Sequence, residues 1–80
     1  MENHMKFRVT VANVWWVEAE TLAHAKGEAM REAGALAASL GHAVEARVTD
    51  PAGAFAGAAL GRVTGDADWL PFGSARARAA

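Results

Sequence analysis

The sequence predicts an α+β fold of the order β-α-β-β, in which one helix packs on one face of a three-stranded antiparallel sheet. Apolar and polar residues alternate over 5–20, apolar residues recur with helical spacing over 22–40, and alternation returns over 43–49 and 54–64. The last two segments are joined by D-P-A-G, a sequence typical of a tight turn. No internal repeat is present, so we expect a single α+β domain over residues 5–72.

The two ends of the chain are excluded from this domain. Residues 73–80, G-S-A-R-A-R-A-A, are expected to form a flexible tail. Residues 1–4 precede a second methionine, and His4-Met5 is the dipeptide that a common cloning site encodes. We therefore expect Met5 to be the natural first residue and residues 1–4 to derive from a vector.

The first predicted strand, over 5–20, is longer than the other elements can cover. A hairpin at 12–13 would preserve the alternation, but a type I′ turn favours Asn-Gly or Asp-Gly over the Ala-Asn found there. We therefore predict one long strand with a bend or bulge. By parity, Trp15 lies beneath the helix and Trp16 on the opposite face, and the excess strand edge is expected to find a partner.

The helix has clear predicted ends. Thr21 is a suitable N-cap and Gly41 a suitable C′ glycine, so the helix is expected over 22–40. A strip of mostly small residues separates its apolar face from its charged face, and each interior glycine costs about 1 kcal/mol relative to alanine. Either another backbone approaches this strip closely, or it is an exposed surface shaped by compositional drift. The strip contains Ala23, Gly27, Met30, Gly34 and Ala38.

Composition excludes several classes of function. The absence of cysteine excludes cysteine-based zinc sites and thiol nucleophiles. The formal net charge of −1 lacks the positive balance of a typical nucleic-acid binder. No apolar run approaches the ~20 residues of a membrane span and no secretory signal is present, so we expect a cytoplasmic protein. A domain of this size buries only about 60% of its unfolded surface, which makes oligomerisation a common source of stability.

No constellation of residues predicts catalysis. His24 and Glu28 have the i,i+4 spacing of two metal ligands on a helix, but a third ligand is not evident. Ser39 and Ser74 have no evident base and no nucleophile elbow. We therefore expect no enzymatic activity, no metal and no cofactor.

Basic residues lie on the face of the predicted sheet that points away from the helix. In the simpler interpretation, they form cross-strand ion pairs with glutamates of that face. In the alternative, they and Trp16 bind single-stranded nucleic acid through charge and base stacking. The basic residues are Lys6, Arg8, Arg47 and Arg62, and the glutamates are Glu18, Glu20 and Glu45.

Carboxylates on the helix form another candidate surface. Glu28 and Glu32 are four residues apart, which places two like charges on one helical face, and Arg31 partly compensates them. Carboxylates on a rigid domain are complementary to a basic protein surface, such as a groove that normally binds nucleic acid. A solvated helix face is the simpler alternative.

Two segments of the chain carry a family resemblance. They are V-E-A-E-T-L-A-H-A-K, from Val17 to Lys26, and the later V-E-A-R-V-T-D-P-A-G. Over roughly Phe7 to Val63 the chain resembles the β-α-β-β type I anti-CRISPR proteins of phages and mobile elements, in particular the ninth type I-F family and its type I-C relatives. The resemblance implies a non-enzymatic protein that binds Cas proteins of a crRNA-guided surveillance complex (Cascade), on the repeated backbone subunit, and blocks target DNA.

The predicted interfaces depart from that family. Its lysine-rich contact surface is not carried over, because Lys26 and Arg31 are the only lysine or arginine residues of the predicted helix. We expect no direct nucleic-acid contact, and the partner-binding residues that we predict are Glu18, Glu20, Glu28, Arg31 and Glu32. A homodimer is predicted separately, from the strand edge, the outward apolar residues that Leu60 extends, and the small-residue strip. Its predicted interface comprises Val14, Trp16, Gly27, Met30 and Gly34.

Overall fold

The computed structural model describes residues 6–11 and 15–71, with the backbone alone for Trp15 and Trp16. Its elements form one antiparallel sheet with the strand order β2-β1-β3-β4-β5 and one helix. In chain order they are β1 Phe7–Val11, β2 Trp15–Ala19, α1 Leu22–Leu40, β3 Val44–Thr49, β4 Phe55–Gly61 and β5 Ala67–Leu70. The general α+β class agrees with the prediction, but the three-stranded sheet and the order β-α-β-β are wrong.

The first error is that the long strand predicted over 5–20 is a hairpin. Val11 pairs with Trp15 and Phe7 pairs with Ala19, so β1 and β2 run antiparallel on either side of residues 12–14, which lie outside the described residues. Val11 and Trp15 have the same parity, and alternation therefore continues through the connection. For this reason the pattern of the sequence could not separate one strand from two.

The second error concerns the segment after Gly65, to which the predicted three-stranded sheet assigns no strand. A tight turn reverses the chain there: the Gly65 N–H donates to the Arg62 carbonyl and the Arg62 N–H to the Asp66 carbonyl, each at 2.8 Å. Gly65 has a φ of 96°, which an L side chain rarely adopts. The following residues pair with β4 as β5, so Trp69 docks within its own sheet.

The predicted helix is confirmed at both ends. The His24 N–H donates to the Thr21 hydroxyl at 3.1 Å, which caps the first turn. Gly41 has a φ of 82° and donates its N–H to the Ala37 carbonyl, as a C′ glycine does. The turn predicted at 50–53 is also present, with the Asp50 carboxylate accepting from the Ala52 and Ala54 N–H groups.

Small side chains form most of the core between helix and sheet. The buried stripe of the helix contains Ala25, Ala29, Ala33, Gly34 and Ala37. Among the described residues, the largest fully buried side chains are the valines Val9, Val11 and Val48. The abundance of alanine is therefore at least partly structural, because alanines fill the layer between helix and sheet.

Glycines allow close contacts on the β4 side of the helix. A Cβ added to Gly61 would overlap the Ala33 carbonyl and lie 2.7 Å from the Gly34 nitrogen. The ring of Trp69 lies against Gly57, where an added Cβ would be 2.7 Å from Cη2. The helix packs most extensively on β4 and β3 and least on β2. The sheet is consequently covered unevenly.

Candidate interaction surfaces

The outward side of the helix carries a charge network, here called the acidic helix face: His24, Glu28, Arg31 and Glu32. Glu28 bonds with Arg31, and its Oε2 lies 3.5 Å from His24 Nε2. Arg31 also lies 3.9 Å from Glu32. The Glu28 side chain is 21% exposed whereas Arg31 is 63% exposed, so the carboxylate is held beneath the groups that pair with it. The structure thus brings together three of the five predicted partner-binding residues.

The other two predicted residues lie elsewhere. Glu18 is in β2, on the sheet face opposite the helix, because its neighbours Val17 and Ala19 pack with the core beneath the helix. Glu20 is exposed in the connection between β2 and the helix. The predicted carboxylates therefore occupy two layers of the fold and do not form one continuous site.

The sheet face opposite the helix, here called the open face, contains ion pairs of the kind that the simpler interpretation predicted. Arg8 lies 3.7 Å from Glu18 on the neighbouring strand. Next to β5, Arg62 lies 2.5 Å from Asp68 and 3.8 Å from Asp66. Two of the four predicted basic residues are thus paired with carboxylates, which reduces the positive potential that they offer to a polyanion.

Sequence reasoning missed an aromatic residue on the open face. The Arg47 guanidinium lies 5.0 Å from the centre of the Phe55 ring, within cation–π range, and Phe55 is 39% exposed. A register shift between Val48 and Thr49 places Phe55 opposite Thr49. Gly57, opposite Val48 at the register shift, was the available signal, because a glycine within a strand often marks a bulge.

Leu60 does not extend an apolar patch around Trp16. Leu60 is half-buried and pairs with Glu45 and Asp68, which places it on the open face as parity predicted. The backbone of Trp16 pairs with Thr10 at the far end of the sheet. β1 and β3 lie between the two positions, so these residues belong to separate parts of the face.

The residues of the small-residue strip differ in burial and in contacts. Gly34 is buried, and an added Cβ would lie 3.0 Å from the Gly65 carbonyl carbon. The close backbone approach, one of the two alternatives for the strip, is therefore made at Gly34 by the same chain. Gly27 is exposed with nothing within 4 Å, and Met30 is half-buried against the core. Of the predicted dimer residues, Val14 lies outside the described residues.

A depression of about 320 Å³ lies where the end of the helix meets the open face. His42, Glu45 and Arg47 contribute its polar groups, and Leu40 and Thr10 line its sides. His42 Nδ1 lies 3.0 Å from the Ala43 carbonyl. No serine or threonine hydroxyl within 6–11 and 15–71 is recorded in a hydrogen bond with a histidine ring, as nucleophilic catalysis would use.

In residues 6–11 and 15–71, no three side chains of the ligating types His, Asp and Glu are grouped so that they could hold a metal ion. Over the same ranges, no helix is both long and apolar enough to cross a membrane.

Comparison with known proteins found no family model, no curated protein and no solved structure that matches the chain.

Proposed function

We propose that this chain is an anti-CRISPR protein that binds a type I crRNA-guided surveillance complex and blocks its access to target DNA. It would act without catalysis, in the cytoplasm of the host bacterium, on Cas proteins of the complex and most directly on the repeated backbone subunit. The proposal starts from the resemblance of the strand-helix-strand segment. The observation that carries it into the structure is the acidic helix face.

The acidic helix face suits recognition of a basic protein groove. Glu28 is held between His24 and Arg31, so its position is fixed, but its ion pair with Arg31 partly neutralises it and leaves most of the attraction to Glu32. Glu32 is 34% exposed beside it and is available to a partner cation. Charges arranged in this way mainly raise association rates and specificity, because they steer an oppositely charged surface into register.

The separation of the predicted carboxylates permits a matched experiment. Reversal of Glu28 and Glu32 to lysine alters the acidic helix face, whereas reversal of Glu18 and Glu20 alters the region of β2. Each double variant adds four charges, from a formal −1 to +3, so both have the same net charge. A difference between them reports the location of the charges and not their sum.

The test is an electrophoretic mobility shift of target DNA by a purified type I surveillance complex, with the wild-type chain in excess. We expect inhibition by the wild type and by Glu18→Lys/Glu20→Lys, and weak or absent inhibition by Glu28→Lys/Glu32→Lys. Circular dichroism would establish that both variants remain folded. Normal DNA binding with excess wild type would refute the proposed function. Equal inhibition by the wild type and both variants would refute only the assignment of the face.

A nucleic-acid-binding module is the second candidate, favoured by the stacking of Arg47 on the half-exposed Phe55. An aromatic ring beside a guanidinium can stack on bases and neutralise phosphate. The pairing of Arg8 with Glu18 and of Arg62 with Asp68 makes this candidate weaker, because those cations are already partly neutralised. It predicts salt-sensitive binding of single-stranded DNA or RNA, measured by fluorescence polarisation. Loss of the signal in Arg47→Ala, with retention in Lys26→Ala, would support it; no signal at low salt would exclude it.

A further inference from the structure

The two edges of the described sheet differ in their capacity to pair with another strand. β5 is four residues long, carries Asp68 in an ion pair with Arg62, and is followed directly by Pro71. Short length, charge and proline are the features by which edge strands avoid further pairing. β2 is five residues long, W-W-V-E-A, no proline follows it, and its one charged residue, Glu18, is paired with Arg8 as Asp68 is with Arg62. The β2 edge therefore lacks the proline and the shorter length that protect β5.

Apolar surface lies beside the β2 edge. The helix packs least on β2, and Val17 and Phe7 are only half-buried on the side of the sheet that the helix covers elsewhere. Leu22, the first residue of the helix and three residues beyond β2, is 42% exposed. Pairing at this edge would bury apolar side chains in addition to satisfying main-chain groups.

We propose that β2 pairs with β2 of a second copy, antiparallel, so that two sheets join into one of ten strands. An antiparallel pair of identical strands requires a two-fold axis normal to the sheet. Such an axis keeps both helices on the same side, so the thinly covered regions around Val17 of the two copies meet. The contact is isologous, because each copy offers the other the same strand.

The number of β2 residues that can pair selects the register between the two copies. Only an arrangement centred on Val17 pairs all five residues of β2, and it places Val17 opposite Val17 of the second copy. Glu18 is then opposite the position of Trp16 and not opposite another glutamate, so no like charges face each other directly. Arg8 stays beside Glu18, so the ion pair within each copy is kept when the two strands meet.

This interface differs from the dimer predicted from the sequence. It keeps the strand edge on which that prediction was partly based, but it does not use the small-residue strip of the helix, which that prediction also placed at the interface. Gly34 of that strip already contacts the β4–β5 turn of its own chain. The proposal does not depend on the anti-CRISPR function, since it follows from the edges of the sheet alone.

The absence of native cysteine allows a direct test by cross-linking. Residues directly opposite on antiparallel strands have Cα atoms about 4.5–5.5 Å apart, within the range of a disulfide. Val17→Cys should therefore form a disulfide-linked dimer rapidly under mild oxidation. The matched control is Asp68→Cys, which places the same thiol on the other edge and should cross-link at least tenfold more slowly. Equal rates for the two variants would refute the β2 pairing.

The mass of the unmodified chain supplies a second measurement. Light scattering should give twice the 8.3 kDa chain mass at about 100 µM, where a dimer with a Kd of ~10 µM is mostly associated. A monomer at that concentration would overturn the proposal. A dimeric mass together with slow Val17→Cys cross-linking would also overturn it, because the copies would then associate through another surface.

Discussion

The helix contacts the two halves of the sheet in opposite ways. On β4 and the following turn, Gly61 and Gly34 allow backbone to meet backbone, and the ring of Trp69 packs directly on Gly57. On β1 and β2, the larger Phe7 and Val17 extend toward the helix and are only half-buried. The side that contains the glycines is the more tightly packed.

This difference indicates which contacts fix the position of the helix on the sheet. A close backbone contact fixes the position of the helix, because any added atom forces it away from β4. Incompletely covered side chains impose no comparable limit, since they can shift into solvent. We therefore expect substitutions on the β4 side to be costly and substitutions on the β2 side to be mild.

The largest effect is expected for Gly61→Ala. The new methyl group would overlap the Ala33 carbonyl, and neither backbone can move without displacing the helix or the sheet. We expect a loss of about 3 kcal/mol in the free energy of unfolding, the upper range for overpacking. Urea denaturation followed by circular dichroism would measure it.

Gly27→Ala is the control for Gly61→Ala. Gly27 lies in the same helix with nothing within 4 Å, so alanine there should stabilise the protein by ~0.5–1 kcal/mol through backbone entropy. If Gly61→Ala left the free energy of unfolding unchanged or raised it, as Gly27→Ala should, the close contact at Gly61 would be disproved.

An intermediate effect is expected for Trp69→Ala. The Trp69 ring lies on Gly57 with the Lys26 ammonium 5.5 Å from its centre, so its loss would leave a gap between β4, β5 and the helix. Because Trp69 is only half-buried, we expect about 2 kcal/mol, below the usual cost of deleting a buried tryptophan. Trp69→Phe, which preserves a ring over Gly57, should recover most of that stability. If both variants were equally unstable, ring packing on Gly57 would not be the cause.

The smallest effect is expected for Leu22→Ala on the β2 side. Leu22 is 42% exposed, so truncation removes little buried area and should cost less than about 1 kcal/mol. Leu40→Ala, at the other end of the helix and 52% exposed, should behave similarly. A cost for Leu22→Ala comparable with that of Trp69→Ala would reverse the comparison between the two sides.

The sequence predicted those parts of the fold that depend on local chemistry. Thr21 and Gly41 identified the helix, since capping is decided within one turn, and the D-P-A-G turn was equally local. The β1–β2 hairpin was missed because parity is the same on both sides of it. β5 was missed because alternation over four residues, two of them Trp69 and Leu70, is too short to be distinguished from a docked loop.

For the candidate sites as well, the sequence predicted only the groupings that depend on local spacing. The i,i+4 spacing correctly grouped Glu28 with His24 and Glu32, because a helix converts spacing into proximity. Glu18 is close to the helix in sequence but lies in a different layer, which only the strand pairing reveals. The stacking of Arg47 on Phe55 depends on a register shift, and no simple alternation contains that information.

The order of the strands also determines how the chain can fold. Three of the four strand pairs in the described sheet join neighbours in the sequence, and these can form by local closure. β1 and β3 are the exception: they pair from Arg8–Thr49 to Val11–Ala46, so the whole helix lies between them. Closing that long segment carries the largest entropy cost of any strand pairing in the described sheet. The β1–β3 ladder is thus the step on which we expect the folding rate to depend most.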